Sequence, residues 1–182
     1  RRLLSYLLDA SNTFPCYMPA VVVCHCAFAA PLPIRCVANP TANSLSQPAR
    51  VAVEPTTGDV YVSDTGNNRV LIYPTVISSD PAASFVIGAA NFTTTNTTGT
   101  VSSNKMLSPE GIAFSGSGPT LGIYVADKDF NRVLLFAPIT ANGQNATFVL
   151  GQGSFITSAG SLTQTGMASP IGVTYSPTGS LY

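Results

Sequence analysis

The sequence predicts an all-β chain built from repeated four-stranded antiparallel units. Three observations predict it. "YVSDTGNNRVLIYP" (61–74) returns as "YVADKDFNRVLLFAP" (124–138), offset by 63 residues. Pro48, Pro109 and Pro170 recur every 61 residues, inside "SQPARVAVEP" (46–55), "SPEGIAFSG" (108–116) and "SPIGVTYSP" (169–177). Each copy then holds four short apolar runs bounded by turn residues, and no run of ten or more has helical periodicity. A near-constant period of this length means stacked copies of one supersecondary unit. Four strands per unit is a propeller blade.

The elements follow in order. In the second copy the strands are "GIAF", "GIYVA", "RVLLF" and "TFVLG", separated by Ser-Gly, Gly-Pro, Asp-Lys-Asp and Ala-Asn-Gly turns. "SFVIGAANF" (84–92) and "TFVLGQGSF" (147–155) keep the 63-residue offset. The two-residue difference between offsets sits in one turn, short in "PTTGD" and long in "GSGPTLG". In "RVLIYP", Val70 and Ile72 point one way and Leu71 and Tyr73 the other, so both faces are apolar. A strand exposed on one face would alternate. Neighbouring blades would cover both faces, which a two-sheet sandwich with no 61-residue period does not explain.

Asp64 and Arg69 flank a four-residue loop, as do Asp127 and Arg132. A tight loop brings these positions together, predicting a cross-strand Asp–Arg pair. The Asp is also expected to accept backbone N–H groups of its own loop, as in an Asx turn. Asn68 and Asn131 suit a left-handed backbone there. Such residues fix a turn in every unit, whereas a catalytic residue is needed once.

Residues 1–45 differ in composition. Their longest apolar run, Pro19 to Ala30, is too short for a bilayer span of ~20 residues. It has the length of a signal-peptide core, with Ala27-Phe28-Ala29 as a small-x-small cleavage site, or it is a disordered leader. All four cysteines, Cys16, Cys24, Cys26 and Cys36, lie here around His25, the one histidine. Their spacing lacks the paired C-x₂₋₄-C of a zinc site, so no metal is expected.

Composition narrows the function. Charged residues are 9% against a usual ~25%, and eight basic residues balance eight acidic ones. No basic excess or polybasic segment suits nucleic acid or anionic membrane. A Ser-, Thr- and Asn-rich surface fits an extracellular or cell-surface domain, with the cytoplasm as the alternative. Three Asn-x-Thr triplets, at Asn91, Asn96 and Asn145, are candidate N-glycan acceptors. Arg50 and Glu110 stand where the innermost strand of each unit starts and are the candidate channel-mouth contacts.

The lines "QPARVAVEPTTGDVYVSDTGNNRVLIYP" and "SPEGIAF…GIYVADKDFNRVLLFAP" resemble NHL repeats over about residues 46–182. Arg50 stands for the usual Gly, and Glu54 and Ser115 for the usual Asp. The resemblance implies a β-propeller, often six-bladed, which at this period needs about 370 residues. Two blades (about 46–106 and 107–167) and the start of a third (168–182) are expected, an incomplete ring and a fragment of a longer protein. A neutral, polar, loop-rich propeller is expected to be a non-catalytic module binding protein or glycan through its loops, without a cofactor. Two alternatives accompany it. A metal-dependent propeller lyase or lactonase would carry its active site in other blades. The recognition end of a ubiquitin-ligase-type NHL protein would need a paired Cys/His domain that residues 1–45 lack.

Overall fold

A computed structural model of the 182-residue chain describes residues 39–75, 79–96 and 99–182. The apolar leader, the four cysteines and His25 lie outside the described residues. Residues 40–182 form one compact unit.

Among the described residues, eight strands make two sheets. β1 (Pro48–Val53), β2 (Val60–Asp64), β3 (Arg69–Tyr73) and β4 (Phe85–Ile87) form the first. β5 (Pro109–Ser115), β6 (Gly122–Asp127), β7 (Arg132–Phe136) and β8 (Phe148–Leu150) form the second. In both sheets the strands lie side by side in chain order and every neighbour is antiparallel. Each sheet is therefore a four-stranded meander, as the repeat predicts and as a propeller blade is built. The register repeats too: Asp64 faces Arg69 and Asp127 faces Arg132. A bulge interrupts β1 between Pro48 and Arg50, and β5 between Pro109 and Ile112.

The apolar alternation is resolved as two cores. Tyr61, Val70, Ile72 and Ile87 of the first sheet pack with Ile123, Val125, Leu134 and Phe136 of the second. Val62, Leu71, Tyr73 and Val86 face the other way and pack with Ala83, Ala89 and Phe92. All five residues of β3 are buried, so its two-sided apolar pattern reflects burial on both faces. The sheets also interlock at an edge. Asn142 Oδ1 accepts the Val86 N–H at 3.0 Å, and the Gly143 N–H donates to the Val86 carbonyl at 2.9 Å. This closes the outer edge of β4.

The third copy follows the same plan as far as residue 182. Thr174 and Tyr182 exchange two backbone hydrogen bonds at 2.8 Å around the Ser176–Gly179 turn. Tyr175 stacks on Tyr124 with ring centroids 5.8 Å apart. One period earlier, Phe114 meets Tyr61 edge-on at 5.0 Å. In the second and third copies the stretch after the repeated proline thus lays an aromatic ring on the second strand of the copy before it. Gly111 donates its N–H to the Ile171 carbonyl at 2.9 Å, and a Cβ there would stand 2.7 Å from the Val173 nitrogen. Only glycine permits this approach. Arg50 holds the equivalent place in the first copy, where β1 is largely exposed.

The β1–β2 turn centres on Glu54, which is 2% exposed. Its carboxylate accepts the Thr56 N–H at 2.9 Å, the Thr57 N–H, and the Thr57 hydroxyl at 2.6 Å. Burial pushes the carboxyl up, but the Thr57 hydroxyl and the Thr57 and Thr56 amides outweigh it, and the group lies below its ordinary 4.5.

Two outcomes follow. Gly111→Ala should separate the third copy from the second and lower stability by about 1–3 kcal/mol, measured by chemical denaturation. A depressed carboxyl stabilises the fold above its unfolded pKa, and that contribution disappears as pH falls through the folded value. The stability of the parent chain should therefore drop on acidification below 4.5 more steeply than that of Glu54→Gln, compared in parallel melts.

Candidate functional site

The repeated polar residues gather at one end of each sheet. This end holds the β2–β3 turn, the start of β1 or β5, and the C-terminal end of β4 or β8. Arg69 and Arg132 are 0% exposed, as are Asp64 and Asp127. Arg69 Nε donates to Asp64 Oδ2 at 2.7 Å, and Arg132 Nε to Asp127 Oδ2 at 2.8 Å. The predicted pairs are present.

Their surroundings exceed what was expected. Arg69 Nη2 donates to the carbonyls of Thr41 (2.9 Å) and Ser44 (2.8 Å), and its Nη1 to Phe92. Arg132 does the same to Ser102 (2.9 Å), Lys105 (2.8 Å) and Phe155 (2.7 Å). Each guanidinium ties the segment leading into its sheet to the loop leaving it. The acceptors are backbone carbonyls, so no side-chain pattern marks them; their recurrence one period on is the signal that could have found them.

The Asx-turn expectation for the aspartates is corrected. Neither caps its own loop. Asp64 Oδ1 accepts the Ser46 N–H at 2.6 Å, and Asp127 Oδ1 accepts that of Leu107 at 2.8 Å. With Oδ2 facing the arginine, Oδ1 points to the strand that precedes it. The copies differ at one place. Asn67 Nδ2 donates to Asp64 Oδ2 at 2.9 Å, whereas Phe130 lies 5.1 Å under the Arg132 guanidinium carbon. Burial pushes the Asp127 carboxyl up to about 6, against the opposing pull of Arg132 and the Leu107 N–H.

Asn68 and Asn131 are left-handed, with φ of 57° and 53°, as expected. They also join the copies. Asn68 Oδ1 accepts the Ser108 N–H at 2.8 Å and its Nδ2 donates to Asn96 at 2.9 Å. Asn131 Oδ1 accepts the Ser169 N–H at 2.8 Å and its Nδ2 donates to Ser158 at 2.9 Å. Gln47, Ser108 and Ser169, each just before a repeated proline, have positive φ. This kink stands immediately before β1 and β5, and before the matching stretch of the third copy.

Arg50 and Glu110 do not meet. Arg50 is exposed, with a 3.2 Å hydrogen bond from Nη1 to its neighbour Ala49. Glu110 is partly buried and lies 3.9 Å from Lys128 Nζ. Asn91 and Asn145 are exposed. Asn96 is 2% exposed, and its Nδ2 donates to the carbonyls of Thr100 (3.3 Å) and Met106 (3.0 Å). In the folded chain the Asn96 carboxamide is therefore buried, unlike those of Asn91 and Asn145, and its nitrogen is engaged.

A cavity of about 130 Å³ lies between the sheets at their other end, lined by Glu54, Tyr61, Leu121 and Ile139. Ligand pockets usually measure ~300–1,000 Å³. The Glu54 carboxylate on its wall is already committed to its own turn. Among the described residues no group of three His, Cys, Asp or Glu is placed to hold a metal, and no helix is long and apolar enough to cross a membrane.

Truncating Asp64 or Asp127 to Ala would leave a fully buried guanidinium unpaired. Each should lower stability by about 3–5 kcal/mol in equilibrium denaturation. Replacing both members of a pair with apolar residues should cost less than that single truncation.

The family model of the NHL repeat matches residues 45–73. No match was found among curated proteins. Among solved structures, an auxiliary nutrient binding protein from Bacteroides thetaiotaomicron VPI-5482 is similar, with a TM-score of 0.47 and 17% identity over 70% of this chain. This chain spans 32% of that protein's length. The matched stretch is seated on β1, β2 and β3, with the Asp64–Arg69 pair closing the turn between the last two, so residues 45–73 are similar to an NHL repeat in both sequence and strand order.

Proposed function

We propose that this chain is a section of an NHL-type β-propeller that serves as a non-catalytic binding module, taking a protein or glycan partner through the loops at one end of its blades. The blades are residues 46–106 and 107–167, and 168–182 begin a third. An extracellular or cell-surface location suits a surface with so few charges.

One observation carries the reading. The repeated polar side chains, Asp64, Asn68 and Arg69 with Asp127, Asn131 and Arg132, direct their hydrogen bonds into the protein's own frame. They hold the architecture and leave no repeated group free for chemistry. The segments that differ between copies are the connections after β4 and β8. In the second of these, Ile156 is 76% exposed and Leu162 95% exposed, beside the exposed Thr163 and Gln164. Variable loops on a rigid sheet are where propellers and other scaffolds place recognition. Exposed apolar side chains among neutral polar ones suit a protein surface or the apolar face of a sugar ring.

The test is binding of the full chain to arrays of neutral and acidic oligosaccharides and of extracellular proteins. A ligand bound equally well with and without chelator, and weakened at least tenfold by Ile156→Ser with Leu162→Ser at unchanged thermal stability, is the expected result. Turnover of a lactone or amide substrate, or binding indifferent to the loop changes, would overturn the reading.

A further inference from the structure

The three Asn-x-Thr triplets are held in three different ways. At Asn96 the side-chain nitrogen is buried and already donates to two carbonyls. At Asn145 the carboxamide is exposed, but its Oδ1 accepts the Ser103 hydroxyl at 2.9 Å. The rest of that triplet belongs to the sheet. Ala146 is buried, and the hydroxyl and N–H of Thr147 both donate to the Leu135 carbonyl, at 3.0 and 2.7 Å.

Asn91 differs from both. It sits in the exposed turn after β4, where Oδ1 accepts the Thr93 hydroxyl at 2.9 Å and the Thr93 N–H at 3.0 Å. The carboxamide and the hydroxyl of the third residue thus lie side by side facing solvent, and Nδ2 donates to no group among the described residues. These are the two groups that define the acceptor triplet for N-glycan transfer. The residue between them anchors the turn. Phe92 packs on the cluster of Val62, Leu71 and Tyr73, and its carbonyl accepts Arg69 Nη1. The tip is open while its base is fixed.

We propose that Asn91 is an N-glycan acceptor, and that the fold withholds Asn96 and Asn145 from the same modification. The donor class is a lipid-linked oligosaccharyl diphosphate acted on by a transferase. A bond forms from Asn91 Nδ2 to the anomeric carbon, and the bond from that carbon to the phosphate oxygen breaks. The diphosphate leaves with the electron pair, and Nδ2 gives up one proton. The glycan then projects from the end of the first sheet that also carries the start of β1 and the β2–β3 turn. This inference is independent of which partner the loops bind.

The experiment places the full chain behind a heterologous secretion signal in a glycosylating eukaryotic cell. The intact mass of the secreted protein is read before and after enzymatic removal of N-glycans. The expected result is a single glycan, absent from Asn91→Gln and from Thr93→Ala, and retained in Thr93→Ser and Asn145→Gln. Thr93→Ala keeps Asn91 in place, so it decides the matter if Asn91→Gln is not secreted. A secreted parent chain without glycan would overturn the proposal, as would a glycan that survives in Asn91→Gln or is lost in Asn145→Gln.

Discussion

A guanidinium with no access to water must find protein acceptors for its N–H groups, and here that requirement organises the chain. Arg69 and Arg132 each satisfy it with one carboxylate and three backbone carbonyls. The carbonyls come from the segment before the sheet and the loop after it. A β-meander alone fixes four strands and leaves its long connections free. The arginine removes that freedom, because departure of either connection would strand a buried charge at a cost of several kcal/mol. The aspartate on the facing strand supplies the counter-charge and, through its second oxygen, holds the strand start. A hydrophobic replacement could match the stability but could not aim at these particular carbonyls.

The same logic extends between copies through softer contacts. Asn68 and Asn131 each accept one backbone N–H at the start of the next copy and donate to the connection leading there. Aromatic rings add area at the same junctions, Tyr61 on Phe114 and Tyr124 on Tyr175. Within such an array each unit gains its stability from its neighbours. The junction between the first two copies is more elaborate, with hydroxyls of Ser63 and Thr65 donating to the carbonyls of Glu110 and Pro109. Ala126 and Lys128 stand at those places one copy later, and the junction there relies on the Gly111 contact instead.

With its repeated polar groups turned inward, the protein varies from copy to copy chiefly in the connections between its sheets. The connection after β4 is short of charge and rich in threonine; the connection after β8 carries exposed isoleucine and leucine. Both spring from the sheet end that the Asp–Arg pairs make rigid. A binding surface on such a base loses little conformational freedom when a partner docks. A glycan on Asn91 would stand at that end, and its size would set which partners can approach the first blade.

By itself the sequence determined what depends on local order and on repetition. The strands follow from apolar runs, the turns from Gly, Asn and Asp, and the Asp64–Arg69 and Asp127–Arg132 pairs from a four-residue loop that must bring its flanks together. The left-handed Asn68 and Asn131 follow from the same loop. The tertiary structure alone decided where each polar group's second contact goes. Asp64 accepts the Ser46 N–H and no backbone N–H of its own turn, because the arginine already fixes one carboxylate oxygen and the other faces the incoming strand. Asn96 and Asn91 belong to equally plausible triplets, yet one is sealed under the chain and the other stands open. Nothing in either triplet encodes that difference. It arises from the backbone carbonyls of Thr100 and Met106, outside the triplet, groups which every residue possesses and which carry no mark in the sequence.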